Sequence, residues 1–196
     1  MCLGLQLDED LKLLGVLVRL SRVGEDAALV EFCREEWPRL VGSMSLYLGR
    51  RDLAEDIAQE TLVRVCGRWR QVRDAGSPSA WAHRVAFNLA KSHGRREATW
   101  LRLRSRAVPK GFGQVEHDDA EAVSVRAAVA ALPSAQRRAV ILRYFADLSI
   151  REVATVMGCP ESTVKTHTRR ALETLRHSGL LHDEPVWVDV EAEEVR

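Results

Sequence analysis

The sequence predicts an all-α protein of two small helical domains that a flexible linker joins. Apolar residues recur three and four positions apart along most of the 196 residues, whereas alternating β-branched runs are few. The 12 glycines and 6 prolines cluster at a few places, where we expect helices to end. Because 46% of the residues are apolar, the chain can fill two small cores.

The domain boundaries follow from the places where the helical pattern stops. It is interrupted between residues 99 and 122, where Pro109, Gly111 and Gly113 precede a short acidic run. The expected segments are an N-terminal extension (1–24), a first domain (25–98), a linker (99–122), a second domain (123–182) and a tail (183–196). Helices are predicted at about 25–48, 51–68, 79–97, 123–131, 134–145, 149–157 and 160–177.

Charge is unevenly distributed, although the formal net charge is only +1. Residues 91–106 contain six basic residues and one acidic residue, while residues 183–196 contain six acidic residues and one basic residue. Local patches govern contact with a polyanion, so the small net charge does not exclude a nucleic-acid partner. A solvated helix end is the alternative for the basic run. The acidic tail is expected to be disordered, and masking of a basic DNA-binding helix in the second domain is the alternative.

The cysteines give no sign of a metal or redox site. They lie far apart and share no short ligand spacing with one another or with histidine: Cys2, Cys33, Cys66 and Cys159. The sequence thus predicts neither a zinc site nor a redox pair. Their apolar neighbours predict buried free thiols in a reducing cytoplasm.

The longest early apolar stretch, residues 11–20, is broken by Lys12 and Arg19. It is too short and too charged to span a membrane or to form a signal peptide. We therefore expect a cytoplasmic protein with no membrane insertion.

The second domain contains a predicted helix with clear signals at both ends. Ser149 and Glu152 have the spacing of a capping box, and Gly158 can supply the left-handed residue that ends the helix. Pro160 suits the first turn of the next helix. One apolar stripe is expected to face the core: Ile150, Val153, Ala154 and Met157.

The following helix combines an apolar face with a basic one. Its expected inward residues are Val164, Ala171, Leu172 and Leu175, and its expected outward residues are Lys165, Thr166, Arg169 and Arg170. Ser162 stands in its N-terminal turn, where base-reading residues usually lie. The two helices and their tight turn predict a helix-turn-helix whose second helix enters the DNA major groove. A merely solvated face is the alternative, but the capping box, glycine turn and proline start together favour DNA contact.

Residues 123–181 resemble region four of bacterial sigma factors. The resemblance rests on Ala131-Leu132-Pro133, Arg143-Tyr144, Leu148-Ser149, Glu152-Val153-Ala154 and the run from Cys159 to Lys165. It implies binding to the minus-35 promoter element, with Lys165, Thr166, Arg169 and Arg170 at base- and phosphate-contacting positions. Sigma factors commonly have Ser-Arg after this lysine, whereas Thr166-His167 stands here. The same run also resembles the DNA-binding domain of LuxR-type regulators, so this domain leaves both families open.

A helix predicted in the first domain separates apolar from polar residues. Its inward residues are expected to be Leu53, Ile57, Thr61 and Val65. Asp56, Gln59 and Glu60 fall on the other face at spacings of three and four, where they form an acidic patch suited to a basic partner surface. A solvated helix face is the alternative.

A polar loop predicted at residues 70–79 precedes a helix with aromatic, amide and basic groups. That helix contains Trp81, Arg84, Val85, Asn88 and Lys91 and runs out into Arg95 and Arg96. Such groups suit unpaired bases, which are held by stacking and by hydrogen bonds to their Watson–Crick edges. Trp81 is expected in the core rather than against a base.

The first domain resembles region two of extracytoplasmic-function (ECF) sigma factors. The matching residues are Asp56, Gln59, Glu60, Trp81, Arg84, Val85, Ala86 and Asn88. In that family an Asp-x-x-Gln-Glu helix binds the polymerase clamp, and the later helix with its loop melts and reads the minus-10 element. The resemblance implies core polymerase binding by Asp56, Gln59 and Glu60. It also implies minus-10 DNA binding by the set Arg84, Asn88, Lys91 and Arg95.

The two resemblances together favour an ECF sigma factor over a LuxR-type regulator, since no receiver or ligand domain is predicted in the helical N-terminal half. The implied partners are core RNA polymerase, promoter DNA and an anti-sigma factor. A free-standing transcription regulator remains the alternative.

The sequence contains no recognisable catalytic arrangement. Four histidines lie on predicted helices without paired carboxylates, a nucleophile elbow or a glycine-rich phosphate loop: His83, His93, His167 and His177. Each is expected to be a surface or DNA-facing histidine. We therefore expect no enzymatic activity and no cofactor.

Overall fold

The computed structural model describes residues 26–103 and 120–178, with side chains at 26–95 and 125–178. Within these ranges the chain is helical apart from short connections and contains no strand, so the all-α prediction is confirmed. The predicted N-terminal extension, the acidic tail and most of the predicted linker lie outside the described residues. Contacts divide the chain into two compact units, residues 1–115 and residues 116–196.

The first unit is a small helical bundle. Its described helices are α1 (Ala27–Leu48), α2 (Arg51–Gly67), α3 (Trp69–Arg73) and α4 (Pro78–Leu103). Helix α1 packs along α2, and both contact α4. The expected inward residues of α2 are all buried, as are Leu29, Cys33, Trp37, Leu40 and Met44 along α1. These α1 residues are three or four positions apart, which is the spacing of one helix face.

Asp26 joins the start of α1 to the short helix α3. Its side chain accepts a hydrogen bond from the Ala28 backbone N at 3.1 Å and another from Trp69 Nε1 at 2.8 Å. The prediction of a loop over residues 70–79 was wrong in its first half, because Trp69 and Val72 are buried and hold this segment as a helical turn. The connection to α4 is limited to residues 74–77, where Gly76 adopts a φ of 79°.

Helix α4 continues to Leu103, past residue 98, where the sequence analysis ends the first domain. The added residues 99–103 are threonine, tryptophan, leucine, arginine and leucine, and the last three of these favour helix. A boundary drawn from the periodicity of buried residues therefore falls short of the real helix end.

Cys33 and Cys66 meet between α1 and α2, although no redox pair is predicted from their spacing. Their thiols share a hydrogen bond, which raises the pKa of Cys33 together with burial and lowers the pKa of Cys66. Both are free thiols. Cys66 and Cys159 are only partly buried, so the expectation of buried thiols is confirmed for Cys33 alone among the described cysteines.

In the second unit two short helices pack against a longer one. Its described elements are α5 (Ala120–Ala131), α6 (Ser134–Val140), a π-helical turn (Ile141–Phe145), α7 (Ile150–Met157) and α8 (Glu161–His177). Helix α8 packs on α6 and α7. The four expected inward residues of α8 are all buried, and the core also includes Leu132, Ile141, Leu142 and Val153.

The predicted boundaries of α7 are confirmed in atomic detail. Ser149 Oγ accepts from the Glu152 backbone N at 3.3 Å, while Glu152 Oε2 accepts from the Ser149 backbone N at 2.8 Å. Gly158 ends the helix in the left-handed conformation, with φ 68° and ψ 40°. Pro160 stands one position earlier than expected, at the N-cap of α8.

The predicted apolar stripe on α7 is wrong at one position. Val156 is buried in place of Met157, which is only partly buried. Helix α6 contacts α7 near this residue. Arg138 Nη2 of α6 donates to the Val156 carbonyl oxygen at 3.4 Å.

Arginines stabilise other chain ends in the same way. Arg137 Nη2 donates to the Ala130 and Leu132 carbonyl oxygens at the end of α5. Arg143 Nη1 donates to the Leu148 carbonyl oxygen at 3.3 Å, just before α7. The last carbonyls of a helix lack partners within it, and Arg137 supplies such partners at the end of α5.

We expect Ser149→Ala to destabilise α7 by about 1 kcal/mol, because the variant loses the hydroxyl that accepts from the Glu152 backbone N. Hydrogen-exchange mass spectrometry should then show α7 amides exchanging about fivefold faster. Ser134→Ala is the matched control, since Ser134 is exposed and Pro133 occupies the N-cap of its helix. Equal exchange rates for α7 in the two variants would contradict the capping role.

Candidate functional site

The acidic patch on α2 consists of Asp56, Gln59 and Glu60. Asp56 and Glu60 are exposed and Gln59 is partly buried, so all three reach one side of the helix. The opposite side of α2 is buried in the first unit. Within the part of the chain that the structure describes, Asp56 has no salt-bridge partner. Its carboxylate is thus available to a basic surface.

Arginines neighbour most other acids of α2. Glu60 Oε1 accepts from Arg64 Nε at 3.0 Å, and Glu55 Oε1 accepts from Arg51 Nε at 3.0 Å. A hydrogen bond from Arg50 lowers the pKa of Asp52. Exposed pairs of this kind contribute little, so the Glu60 carboxylate can exchange Arg64 for a partner's cation at small cost.

A basic stripe runs along the exposed side of α4 and consists of Arg84, Asn88, Lys91 and Arg95. Spacings of four, three and four place these side chains on one side of the helix. Ala82, Ala86, Phe87 and Ala90 are buried on the other side. The three cations and one amide thus form a continuous surface suited to a nucleic-acid strand.

Asn88 lies in the middle of the α4 stripe. It is exposed, and its carboxamide forms no hydrogen bond with any residue that the structure describes. A carboxamide offers two donors and an acceptor, which match the edge of a base. Trp81 and Val85 are partly buried beside this surface, so the expectation of a core tryptophan holds only in part.

The recognition face of α8 consists of Ser162, Lys165, Thr166, Arg169 and Arg170. These positions follow spacings of three and four along one side of the helix, opposite the buried Val164, Ala171, Leu172 and Leu175. Ser162, Arg169 and Arg170 are exposed, whereas Lys165 and Thr166 are partly buried. The structure therefore brings the five predicted residues together on one surface.

Two side chains of the recognition face form hydrogen bonds within α8, and these determine which groups remain available to DNA. Thr166 Oγ1 donates to the Ser162 carbonyl oxygen at 2.9 Å, so the Thr166 hydroxyl can offer an outside partner only its acceptor lone pairs. Arg169 Nη1 donates to Glu173 Oε1 at 2.7 Å. This ion pair is exposed on both sides, so a phosphate can displace Glu173 from the guanidinium.

One polar cluster was missed by the sequence analysis. Glu36, Ser43 and His83 are 2%, 0% and 0% exposed, and they meet between α1 and α4. The expectation that His83 faces solvent or DNA is therefore wrong, because α4 turns this side chain into the core. Single-sequence patterns contain no signal for such a contact, since its members lie on different helices. His93 and His177 are exposed and His167 is partly buried.

The cluster has the order of groups found in serine hydrolases, with Ser43 Oγ 3.2 Å from His83 Nε2 and His83 Nδ1 3.0 Å from Glu36 Oε1. A nucleophile must reach its substrate, and Ser43 has no exposed surface. The arrangement is therefore structural. No group of three potential metal ligands occurs among the described residues, and no described helix is both long and apolar enough to cross a membrane.

Comparison with known families defines the class of protein. Residues 33–99 match Sigma-70 region 2, and residues 122–175 match Sigma-70, region 4. The acidic patch and the α4 stripe fall within the first match, and the recognition face falls within the second. These two matches together place the chain in the class of sigma-70-type factors.

Similar proteins narrow the class. ECF RNA polymerase sigma factor EcfG of Rhodopseudomonas palustris is 30% identical over 138 residues, which cover 68% of this chain and 74% of EcfG. ECF RNA polymerase sigma factor SigE of Mycolicibacterium smegmatis is 29% identical over 168 residues, which cover 78% of this chain but only 63% of SigE. The chain belongs to the ECF RNA polymerase sigma factors. It is a promoter-recognising transcription initiation factor and not an enzyme.

A solved structure shares the fold. Sigma factor RpoE of Bartonella quintana, crystallised in complex with the anti-sigma factor NepR, matches with a TM-score of 0.67 and 20% identity. The match covers 79% of this chain and 96% of RpoE.

Proposed function

We propose that this sigma factor divides its work among three surfaces: the acidic patch docks on core RNA polymerase, the α4 stripe reads the minus-10 element, and the recognition face of α8 reads the minus-35 element. The observation that carries the proposal is the exposure of all four α4 stripe residues beside a buried helix face. A helix held in this way presents the same side chains to every promoter.

Docking on polymerase is supported by the charge and rigidity of α2. The acidic patch lies on a helix whose other side is packed, so the backbone is already ordered and binding restricts only the patch side chains. Complementary charge speeds association with a basic surface and selects among partners. The experiment that tests the assignment is a pull-down, in which the chain must retain core polymerase without DNA.

Strand opening is supported by the amide in the middle of the basic stripe. Arg84, Lys91 and Arg95 can contact successive phosphates, while Asn88 pairs with the edge of an unstacked base. The binding energy of the captured base then favours the melted promoter. No nucleotide hydrolysis enters this step.

Upstream recognition is supported by the helix-turn-helix geometry of α7 and α8. The major groove admits a helix, and Ser162 and Lys165 lie in the first turns of α8, where side chains reach base edges. Arg169 and Arg170 follow about one turn beyond Lys165 and can contact phosphates. Each element alone binds weakly, and attachment to one polymerase raises the effective concentration of the second contact.

We extend the proposal to location and regulation. The chain acts in the cytoplasm, where RNA polymerase is found, and an anti-sigma factor binds it when it is inactive. The likeness to RpoE, which was crystallised with NepR, supports this partner. The proposed organisation has five segments: an N-terminal extension at 1–24, a first domain at 25–98, a linker at 99–122, a second domain at 123–182 and an acidic tail at 183–196. Helix α4 extends into the linker as far as Leu103, and α5 begins within it at Ala120.

Asp56→Ala with Glu60→Ala should weaken core polymerase binding about tenfold, because the variant removes two exposed carboxylates from the docking surface. Equilibrium binding measured by fluorescence anisotropy provides the test. Glu31→Ala with Glu35→Ala removes the same charge from an exposed face of α1 and should leave affinity unchanged. Unchanged affinity in the first variant, with a native circular dichroism spectrum, would refute the docking assignment.

Lys165→Ala and Arg169→Ala should each lower the affinity of holoenzyme for upstream duplex DNA. The slope of log affinity against log salt should fall by about 0.9 for each phosphate that the variant no longer neutralises. Arg34→Ala removes one exposed cation from the first unit and serves as the control, with an unchanged slope. An unaltered upstream footprint in both α8 variants would mean that another surface binds the DNA.

Asn88→Ala should leave polymerase binding and closed-complex formation intact but impair opening. The expected loss of base discrimination is on the order of 1–3 kcal/mol. A promoter with a pre-melted bubble should restore transcription to this variant. His93→Ala, an exposed α4 residue outside the stripe, should open promoters normally. A lowered melting temperature without any promoter-specific defect would instead assign Asn88 to folding.

A further inference from the structure

A buried polar cluster joins α1 to the start of α4 in the first unit. It comprises Glu36 and Ser43 from α1 with Ser79 and His83 from α4. Ser79 Oγ donates to Glu36 Oε1 at 2.8 Å, and His83 Nδ1 lies 3.0 Å from the same oxygen. His83 Nε2 lies 3.2 Å from Ser43 Oγ. Two side chains of α4 are thus bound to two side chains of α1.

The surroundings of His83 fix its proton arrangement. Nδ1 faces two acceptors, Glu36 Oε1 and the Ser79 carbonyl oxygen at 3.1 Å, so Nδ1 carries a hydrogen. Nε2 then accepts from the Ser43 hydroxyl when the ring is neutral. Every member of the cluster has a partner in this arrangement. A satisfied network of this kind holds its side chains in one orientation.

Stability alone does not explain the cluster. Placing a carboxylate and an imidazole in the core carries a desolvation penalty, and apolar side chains of similar volume would pack there at least as favourably. Hydrogen bonds are directional, whereas apolar contacts are not. The hydrogen bonds of the cluster therefore fix the rotation of α4 about its own axis relative to α1. The position of the cluster indicates the function of this fixed rotation.

The cluster lies where the loop at residues 74–77 enters α4. Ser77 caps the helix, since its hydroxyl oxygen accepts from the Ala80 backbone N at 3.3 Å, and Ser79 is bound to Glu36. Arg84 follows His83 directly, and successive helical residues differ by about 100° around the axis. Anchoring His83 inward therefore directs Arg84 and Asn88 outward.

We propose that Glu36, Ser43, Ser79 and His83 are positioning residues for minus-10 recognition. They hold the loop and the first turns of α4 so that Arg84 and Asn88 meet the DNA strand in a fixed geometry. The inference rests on the proposed function of the α4 stripe. It assigns the fixed geometry in which the stripe meets DNA to these four side chains. None of them touches DNA.

The test replaces the cluster with apolar side chains in Glu36→Met/His83→Phe. A promoter is first selected from a library with wild-type holoenzyme, and occupancy is then compared between that promoter and one with a scrambled minus-10 element. We expect the variant to bind core polymerase normally but to discriminate between the two promoters at least about fivefold less, the lower limit for losing the recognition of one base.

Two further comparisons separate positioning from folding. Ser79→Ala removes only the hydrogen bond between the first turn of α4 and Glu36 and should lower discrimination, whereas Ser79→Thr keeps the hydroxyl and should preserve discrimination. Val65→Ala lowers stability through the buried face of α2 without touching the cluster, and it should discriminate like wild type.

The outcomes are distinct. Wild-type discrimination in both the apolar double variant and Ser79→Ala would overturn the inference while leaving the proposed function intact. A fall in Val65→Ala equal to that in Ser79→Ala would also overturn it, because stability would then explain the effect. Equal occupancy of the two promoters by wild-type holoenzyme would overturn the proposed function, and the inference with it.

Discussion

The burial of one face of α4 against α1 and α2 determines what the first unit presents to its partners. Ala82, Ala86 and Ala90 occupy this face, and such small side chains let helices approach closely. Phe87 adds the bulk that fills the remaining space, in edge contact with Tyr47 at 4.9 Å between ring centroids. With this face fixed, Arg84, Asn88 and Lys91 can only face solvent. The position of the acidic patch on α2 follows from the same packing, since Leu53, Ile57 and Val65 hold the opposite side.

The second unit applies the same constraint to a different helix. Val164, Ala171, Leu172 and Leu175 fix the rotation of α8, while the left-handed Gly158 sets the turn from α7. Arginine contacts with backbone carbonyls at helix ends hold the shorter elements around it. Both units thus use a buried apolar face to orient a polar one. Charged residues on those polar faces make exposed ion pairs that DNA or protein partners can replace at low cost.

Local patterns in the sequence predict helix faces and caps well. Spacings of three and four identify the buried sides of α2 and α8, and the Ser149 and Glu152 pair marks the start of α7. They also place every predicted site residue on the expected side of its helix. These features depend on residues within a few positions of one another, so a single sequence contains them.

Contacts between distant residues are where the sequence analysis falls short. Helix α3 forms because Trp69 and Val72 find a core, and the polar composition around them predicts a loop. The buried environment of His83 depends on Glu36 and Ser43, and the Cys33 thiol depends on Cys66. No spacing rule relates such pairs, because tertiary packing alone brings their helices together.

The most direct test of the account is in vitro transcription of a genomic promoter library by core RNA polymerase, with and without the full chain. Sequencing of the transcripts identifies the templates that the chain selects. If the chain recognises promoters, the transcripts depend on the chain and their templates share two elements, one near minus-35 and one near minus-10. Transcription equal to that of core polymerase alone, or templates that share no common element, would contradict the assignment of this chain's surfaces to promoter recognition.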